Sequence, residues 1–375
     1  LLELARMDRI LALDAGARRA RVQPGVPNAK VSEAASAHGL FYAPDPSSQM
    51  TCTIGGNVAC GAGGPHCLRY GTTTDHVLGL TLVDSAGAVH EVEDESLLSL
   101  LVGSEGTLGV VTEATLALLP IPESVATMLL SFPAMREACA AVGAILAEGF
   151  VPAALEILDA RAVAAVEASV FAAGYPRDAE AVLLVEVDGT RPEVEEACSW
   201  IASRWRVRRA RDEGERAALW KGRKGAFGAM GRVAEECYVM DCVVPRRAMA
   251  EALERVDAVA RRRGLACVNV FHAGDGNLHP LIAYRRDDAA NVEGAGREIA
   301  EACIALGGSL TGEHGVGVEK RDFMPLLFDA PSLRAMERVR AAFDPDRILN
   351  PGKVLPGPKV CAEAVLRREA ERVVS

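Results

Sequence analysis

Apolar and polar residues alternate in short runs at the start of the chain. Ile10 to Leu13 and Arg19 to Val22 flank Asp14-Ala15-Gly16, so the pattern predicts a hairpin. From Asn28, residues Val31, Ala34, Ala35 and Leu40 share one helical face and Gly39 supplies a stop, which predicts a helix capped by Asn28. A second hairpin is predicted from Val77 to Val83 and Val89 to Val92 around Ser85-Ala86-Gly87. A short helix over Ser96 to Val102 and a strand from Val110 to Leu119 follow, ending at Pro120-Ile121-Pro122.

Beyond that proline pair the pattern changes. Val125 to Phe132, Ala154 to Leu158, Ala181 to Val187, Cys237 to Val244, Cys267 to Phe271 and Leu278 to Tyr284 read as strands. Met135 to Glu148, Arg191 to Trp205, Arg246 to Arg263 and Ala289 to Leu306 read as amphipathic helices between them. The expectation is an α+β protein with one domain over 1–122, a second over 123–357 with helices on one face of a sheet, and a solvated tail over 358–375.

The 375 residues are half apolar and a quarter charged, which excludes collagen-like and broadly disordered classes. Forty-one basic residues against 51 acidic ones leave a net charge of −10, so the basic footprint of a nucleic-acid binder is missing, and nucleic acid is not an expected partner. Ten cysteines without a Cys-x-x-Cys pair fit neither a disulfide scaffold nor a zinc finger, and read as reduced thiols of a cytoplasmic protein. No run of about 20 apolar residues predicts a membrane span, and Leu1-Leu2-Glu3-Leu4 does not read as a secretory signal. The same strand-like start implies that the natural domain begins upstream.

Five glycines fall between Gly55 and Gly64, in Thr53-Ile54-Gly55-Gly56-Asn57-Val58-Ala59-Cys60-Gly61-Ala62-Gly63-Gly64. Such a run lets backbone approach an anionic or flat ligand, or merely pack closely. It is no nucleotide-phosphate loop, since no Gly-Lys-Ser/Thr follows and His66 stands where a dinucleotide fingerprint needs glycine. A second run, Gly103-Ser104-Glu105-Gly106-Thr107-Leu108-Gly109-Val110, spaces three glycines evenly before a strand.

Seven histidines are scarce, yet three lie in Phe271-His272-Ala273-Gly274-Asp275-Gly276-Asn277-Leu278-His279 and Thr311-Gly312-Glu313-His314-Gly315. A turn between His272 and His279 would bring both imidazoles to one end of the sheet. With Glu313 they make a three-ligand divalent-metal site that leaves positions open for substrate. His314 would point away from Glu313, free to act as a general base.

Both glycine runs, together with Pro44-Asp45-Pro46-Ser47 and Arg69-Tyr70-Gly71, resemble the FAD-binding domain of the vanillyl-alcohol-oxidase superfamily. The likeness is to its glycolate oxidase D subunit and FAD-linked D-lactate dehydrogenase branch, and it runs from about Leu4 to Pro356. The resemblance implies a partial FAD-binding domain of the vanillyl-alcohol-oxidase/p-cresol-methylhydroxylase type, followed by an FAD-linked oxidase C-terminal cap with antiparallel sheet and helices. It implies FAD along Pro44, Gly55, Gly56, Asn57, Gly63, Gly64, Tyr70, Gly71, Glu105, Gly109 and Val110, with Asn350 returning to the flavin, and a further diphosphate-embracing loop upstream. In the cap it implies zinc or manganese on His272, His279 and Glu313, His314 as base, and Arg223 as the clamp for a substrate carboxylate, with Lys320 a weaker candidate. Lys221 and Lys224 read as a solvated face, and His66 as a polar contact rather than a point of flavin attachment.

The activity so implied is oxidation of a small 2-hydroxy acid, glycolate or D-lactate, to the 2-oxo acid, with hydride passing to flavin N5. Partners would be a flavin-domain subunit and an iron-sulfur electron-transfer subunit, through which the protein would lie at the inner face of the membrane. A metal-dependent hydrolase and a non-catalytic subunit are the competing readings.

Overall fold

The structure is a computed structural model that describes residues 2–232 and 235–357. The tail expected over 358–375 lies outside them. In the first half the strands are β1 (Ile10–Asp14), β2 (Arg19–Val22), β3 (Leu40–Phe41), β4 (Val77–Val83), β5 (Val89–Val92), β6 (Val110–Ala117) and β7 (Leu119–Pro120). Five of them form an antiparallel sheet in the order β1-β2-β6-β4-β5, and β3 pairs separately with β7. Their inward residues, among them Val22, Leu80, Leu82 and Leu116, pack against Val31 and Ala35 of the helix Asn28–Ser36 and against Ile54 and Val58.

One expectation shifts here. Asn28 is the first residue of its helix and Pro27 precedes it as cap, because the Asn28 amide is buried and donates to the Pro44 carbonyl and to Asn57 Oδ1, both at 3.0 Å. The first glycine run is partly helical: Ile54–Cys60 is a helix, with the Thr53 hydroxyl accepting the Gly56 N–H and Gly61 closing it in the left-handed region. A threonine cap of this kind contributes about 1 kcal/mol, which offsets much of the cost of glycine in a helix.

The second half carries β8 (Ser124–Phe132), β9 (Ala154–Asp159), β10 (Ala181–Gly189), β11 (Val207–Arg209), β12 (Glu236–Val239), β13 (Cys242–Val243), β14 (Ala266–His272), β15 (Asn277–Leu278) and β16 (Pro280–Tyr284). They form one nine-stranded antiparallel sheet, running β11-β8-β10-β9-β14-β15-β13, with β16 on β14 and β12 on β16. Helices cover both faces, contrary to the one-face expectation. Met135–Ala147, Arg191–Arg204, Met249–Arg262 and Ala289–Ala305 bury one core, while Ala160–Glu167 and Glu213–Ala229 bury a second against Leu129, Leu158, Val182 and Leu184. The reason is legible in β10: Ala181-Val182-Leu183-Leu184-Val185 is apolar at consecutive positions, so neither face can be left to water. Each fully buried Leu or Val adds about 1.5–3 kcal/mol.

Candidate active site

The site is built by strand register. β14 and the β15–β16 segment form a hairpin in which His272 lies opposite Asn277 and Asn269 opposite Pro280. His279, between β15 and β16, is therefore the diagonal neighbour of His272 on the same face, and the two rings lie 5.1 Å apart and perpendicular. On the other edge of β14, Glu156 of β9 is the cross-strand partner of His272, and its carboxylate oxygens accept from His272 Nδ1 at 2.8 and 2.9 Å.

Glu313 arrives from the loop after Leu310. Its Oε1 stands 2.8 Å from His279 Nε2 and 3.3 Å from His272 Nε2, and one ligand atom from each of the three residues lies within 4.8 Å of the others. Burial opposes charge on His272, but Glu156 and Glu313 on either side hold its pKa well above the imidazole value. Burial likewise opposes charge on Glu313, yet His272 and His279 hold it well below the carboxylate range. Positive charge is thus favoured between these donors. His272 turns Nε2 inward while Nδ1 rests on a carboxylate, the arrangement that orients a metal-ligating imidazole. The donor set fits a divalent cation.

His314 adjoins this trio with its side chain 45% exposed, its Nε2 3.8 Å from Glu313 Oε1 and its ring 5.1 Å from that of His279. Burial of the ring, reinforced by His279, lowers its pKa, so the neutral, proton-accepting form prevails at neutral pH. Arg223, in the helix Glu213–Ala229, is fully buried and bonds Glu156 Oε2 through Nη2 at 2.5 Å; its Nε and Nη1 have no partner among the described residues.

Sequence reasoning missed the group that holds the loop. Asp241, fully buried between β12 and β13, accepts the Thr311 hydroxyl at 2.5 Å and the N–H groups of Gly312 at 3.0 Å, Glu313 at 3.2 Å and His314 at 3.0 Å. Burial works against its charge, but Lys320, His314 and His279 hold its carboxyl below the ordinary range. Lys320 places Nζ 3.0 Å from that carboxylate and 2.9 Å from the Asp241 carbonyl, so its ammonium is engaged in fixing Asp241. The available signal was a lone acid inside an apolar strand, in Val239-Met240-Asp241-Cys242-Val243, since a buried carboxylate must find partners. Glu156 and Glu186 carry the same signal.

The glycine-rich half meets the cluster at Gly63, where a Cβ would stand 3.2 Å from Glu313 Oε2. The other residues expected along the flavin are engaged with the protein itself. Gly55 packs on Pro24, Gly64 on the backbone of Asp45, Gly71 on Asp75 and Gly109 on Leu82. Gly56 donates to its cap Thr53, and Pro44 and Asn57 receive the Asn28 amide. The Tyr70 hydroxyl donates to Asp188 at 2.5 Å, and Val110 opens β6. Glu105 directs both carboxylate oxygens to cap amides, and Asn350 donates to the Glu105 carbonyl at 2.6 Å.

His66 makes polar contacts on both ring nitrogens, with Asp45 at 2.9 Å and Glu186 at 3.1 Å, over the face of Trp220. Burial would lower its pKa, but the two carboxylates raise it to about 10, so it is a cation joining the two halves. Glu186 also accepts from Arg216, from the Trp220 indole and from Thr127. Lys224, expected in solvent, bonds Asp45 at 3.2 Å because the helix Glu213–Ala229 lies against the first half.

Residues 1–93 match the family described as "FAD binding domain", and residues 121–354 match "FAD linked oxidases, C-terminal domain". The chain is 45% identical to glycolate oxidase subunit GlcD of Escherichia coli K12 over 379 residues, 97% of this chain and 76% of that protein. It is 31% identical to the D-lactate dehydrogenase of Anaerostipes hadrus, across 94% of this chain and 79% of that one. The crystal structure of p-cresol methylhydroxylase with substrate bound superposes with a TM-score of 0.77 at 15% identity, covering 94% of this chain and 79% of that chain. No helix among the described residues is long and apolar enough to cross a membrane.

Proposed function

The chain belongs to the FAD-linked oxidases, and from that premise we propose that it oxidises a small 2-hydroxy acid of the glycolate or D-lactate class to the 2-oxo acid, with a divalent metal that His272, His279 and Glu313 would hold. The observation that carries the proposal is the convergence of His272, His279 and Glu313, with the half-exposed His314 next to them. Bound, FAD supplies a hydride acceptor and the metal a Lewis acid for the substrate hydroxyl.

The chain's own residues do the rest. His272 and His279 present Nε2 and Glu313 presents Oε1 as ligands, and Glu156 fixes the His272 ring. His314 accepts the hydroxyl proton on its neutral imidazole. Arg223 brings a guanidinium whose Nε and Nη1 have no partner among the described residues, for the substrate carboxylate. Asp241 keeps Glu313 and His314 in their relative places. Pro44, Gly55, Gly56, Asn57, Gly63, Gly64, Tyr70, Gly71, Gly109, Val110 and Asn350 line the flavin in this reading, and Glu105 lies in the same run with its carboxylate on the Val316 and Gly317 amides. A domain division at 122/123 and a partner subunit that takes electrons from the flavin belong to the same proposal, the latter supported by the word subunit in the relative's name.

The test mixes FAD-loaded protein with glycolate or D-lactate without oxygen, before and after chelation. Bleaching of the flavin that disappears on chelation and returns with zinc or manganese is expected. A protein that bleaches equally well after complete metal removal contradicts the metal's part, and one that bleaches with neither acid contradicts the substrate class.

A further inference from the structure

The loop that carries Glu313 and His314 is held by carboxylates from both sides. Asp241 holds residues 311–314 from within the cap, and Glu105 holds residues 316–317 from the first half, accepting the N–H of Val316 at 2.6 Å and of Gly317 at 2.8 Å. We propose that Glu105 is a positioning residue for His314: a tether between the halves that sets where the base stands relative to the flavin-binding half. The proposal rests on the reading of His314 as base and deepens it.

Three independent features point to a built contact. Glu105 has a left-handed backbone (φ 53°), a conformation that non-glycine residues keep only where their surroundings demand it. Those surroundings are present, since its N–H donates to the Ala59 carbonyl at 2.8 Å and its own carbonyl accepts the Asn350 amide. Gly315 also has positive φ, and a Cβ there would lie 2.7 Å from Glu105 Oε1, so the residue after His314 is one that lets the carboxylate approach. The path is therefore continuous. The end of the helix Ile54–Cys60 holds the Gly103–Glu105 turn through the Val58 and Ala59 carbonyls, and Glu105 holds the loop two and three residues past His314. With both oxygens on cap amides, Glu105 acts through backbone rather than on a ligand.

Glu105→Ala and the milder Glu105→Gln would be compared with the parent as FAD-loaded full chains. The measurements are hydrogen exchange over residues 311–317, flavin and metal content, and anaerobic flavin reduction across a range of substrate concentrations. Expected are faster exchange at Val316 and Gly317 in both variants, retained flavin and metal, and a limiting reduction rate lowered by roughly 10- to 100-fold in Glu105→Ala. The half-saturating substrate concentration should stay near the parent's, with part of the rate kept by Glu105→Gln. Unchanged exchange overturns the tether. Faster exchange with a parental limiting rate overturns the positioning role, and loss of FAD with unchanged exchange makes Glu105 a flavin contact instead. If the parent itself bleaches with neither acid, the functional reading fails while the exchange data still decide the tether.

Discussion

The glycine-rich half carries eleven expected functional residues and the histidine cluster four, and the structure treats the two sets differently. In the cap, His272, His279, Glu313 and His314 come together, because the hairpin register makes the two imidazoles neighbours and Asp241 holds the loop with Glu313 and His314 against them. In the first half, Asn57, Tyr70 and Glu105 direct their polar groups to Asn28, Asp188 and the cap loop. Side-chain chemistry announces its partners through the groups it must satisfy. Glycine announces only that something comes close, and at Gly55 and Gly109 that something is Pro24 and Leu82.

The largest expected effect in the comparison is loss of a ligand. Glu313→Ala should empty the metal site and lower flavin reduction by on the order of 10⁴-fold or more, because both imidazoles lose their shared carboxylate. Metal analysis and single-turnover reduction on the same sample check it, and full metal occupancy would break the cluster side of the comparison.

Removing the loop's anchor comes next. Asp241→Asn places an amide against three N–H donors and Lys320, so chemical unfolding should show a loss of about 3–5 kcal/mol together with weaker metal retention. Parental stability would show that the loop holds itself. Glu156→Gln is expected to weaken metal affinity by about 10- to 100-fold, read by competition with a chelator, since His272 Nδ1 then lacks its carboxylate. An unchanged affinity would mean that Glu156 serves Arg223 alone.

The smallest effect concerns the contact between the halves. His66 has a folded pKa raised from 6.5 to about 10, so the folded state holds the proton more tightly than the unfolded state does. Its stabilising contribution is full below 6.5, declines as pH rises and is gone above about 10. The melting temperature of the parent should therefore fall more steeply between those values than that of His66→Gln, and parallel curves would contradict the paired cation.

Much of the fold was legible because hydrophobic period marks elements directly. The strand from Val77 to Val83 and its partner from Val89 to Val92 appear where the pattern put them, and β8, β10 and β14 depart by a residue or two at their ends. The second layer of cap helices was not anticipated, since Ala160–Glu167 is short and Glu213–Ala229 mixes arginine and glycine into its buried face. Within the site, the ligands were visible by scarcity and clustering. Asp241 and Glu156 were hidden among apolar strand residues, and what they hold depends on which strands and loops become neighbours, a matter of tertiary register.

The account turns on the division of labour between two adjacent residues, Glu313 as ligand and His314 as base, so the deciding measurement is made on His314→Ala. Flavin reduction by glycolate or D-lactate is followed without oxygen in FAD-loaded protein, with metal determined on the same sample. The expected result is parental metal and flavin content with reduction slowed by roughly 10²–10⁴-fold, and a residual rate that climbs with pH as hydroxide takes over the lost proton acceptor. Reduction at the parental rate, or loss of metal as in Glu313→Ala, would contradict it.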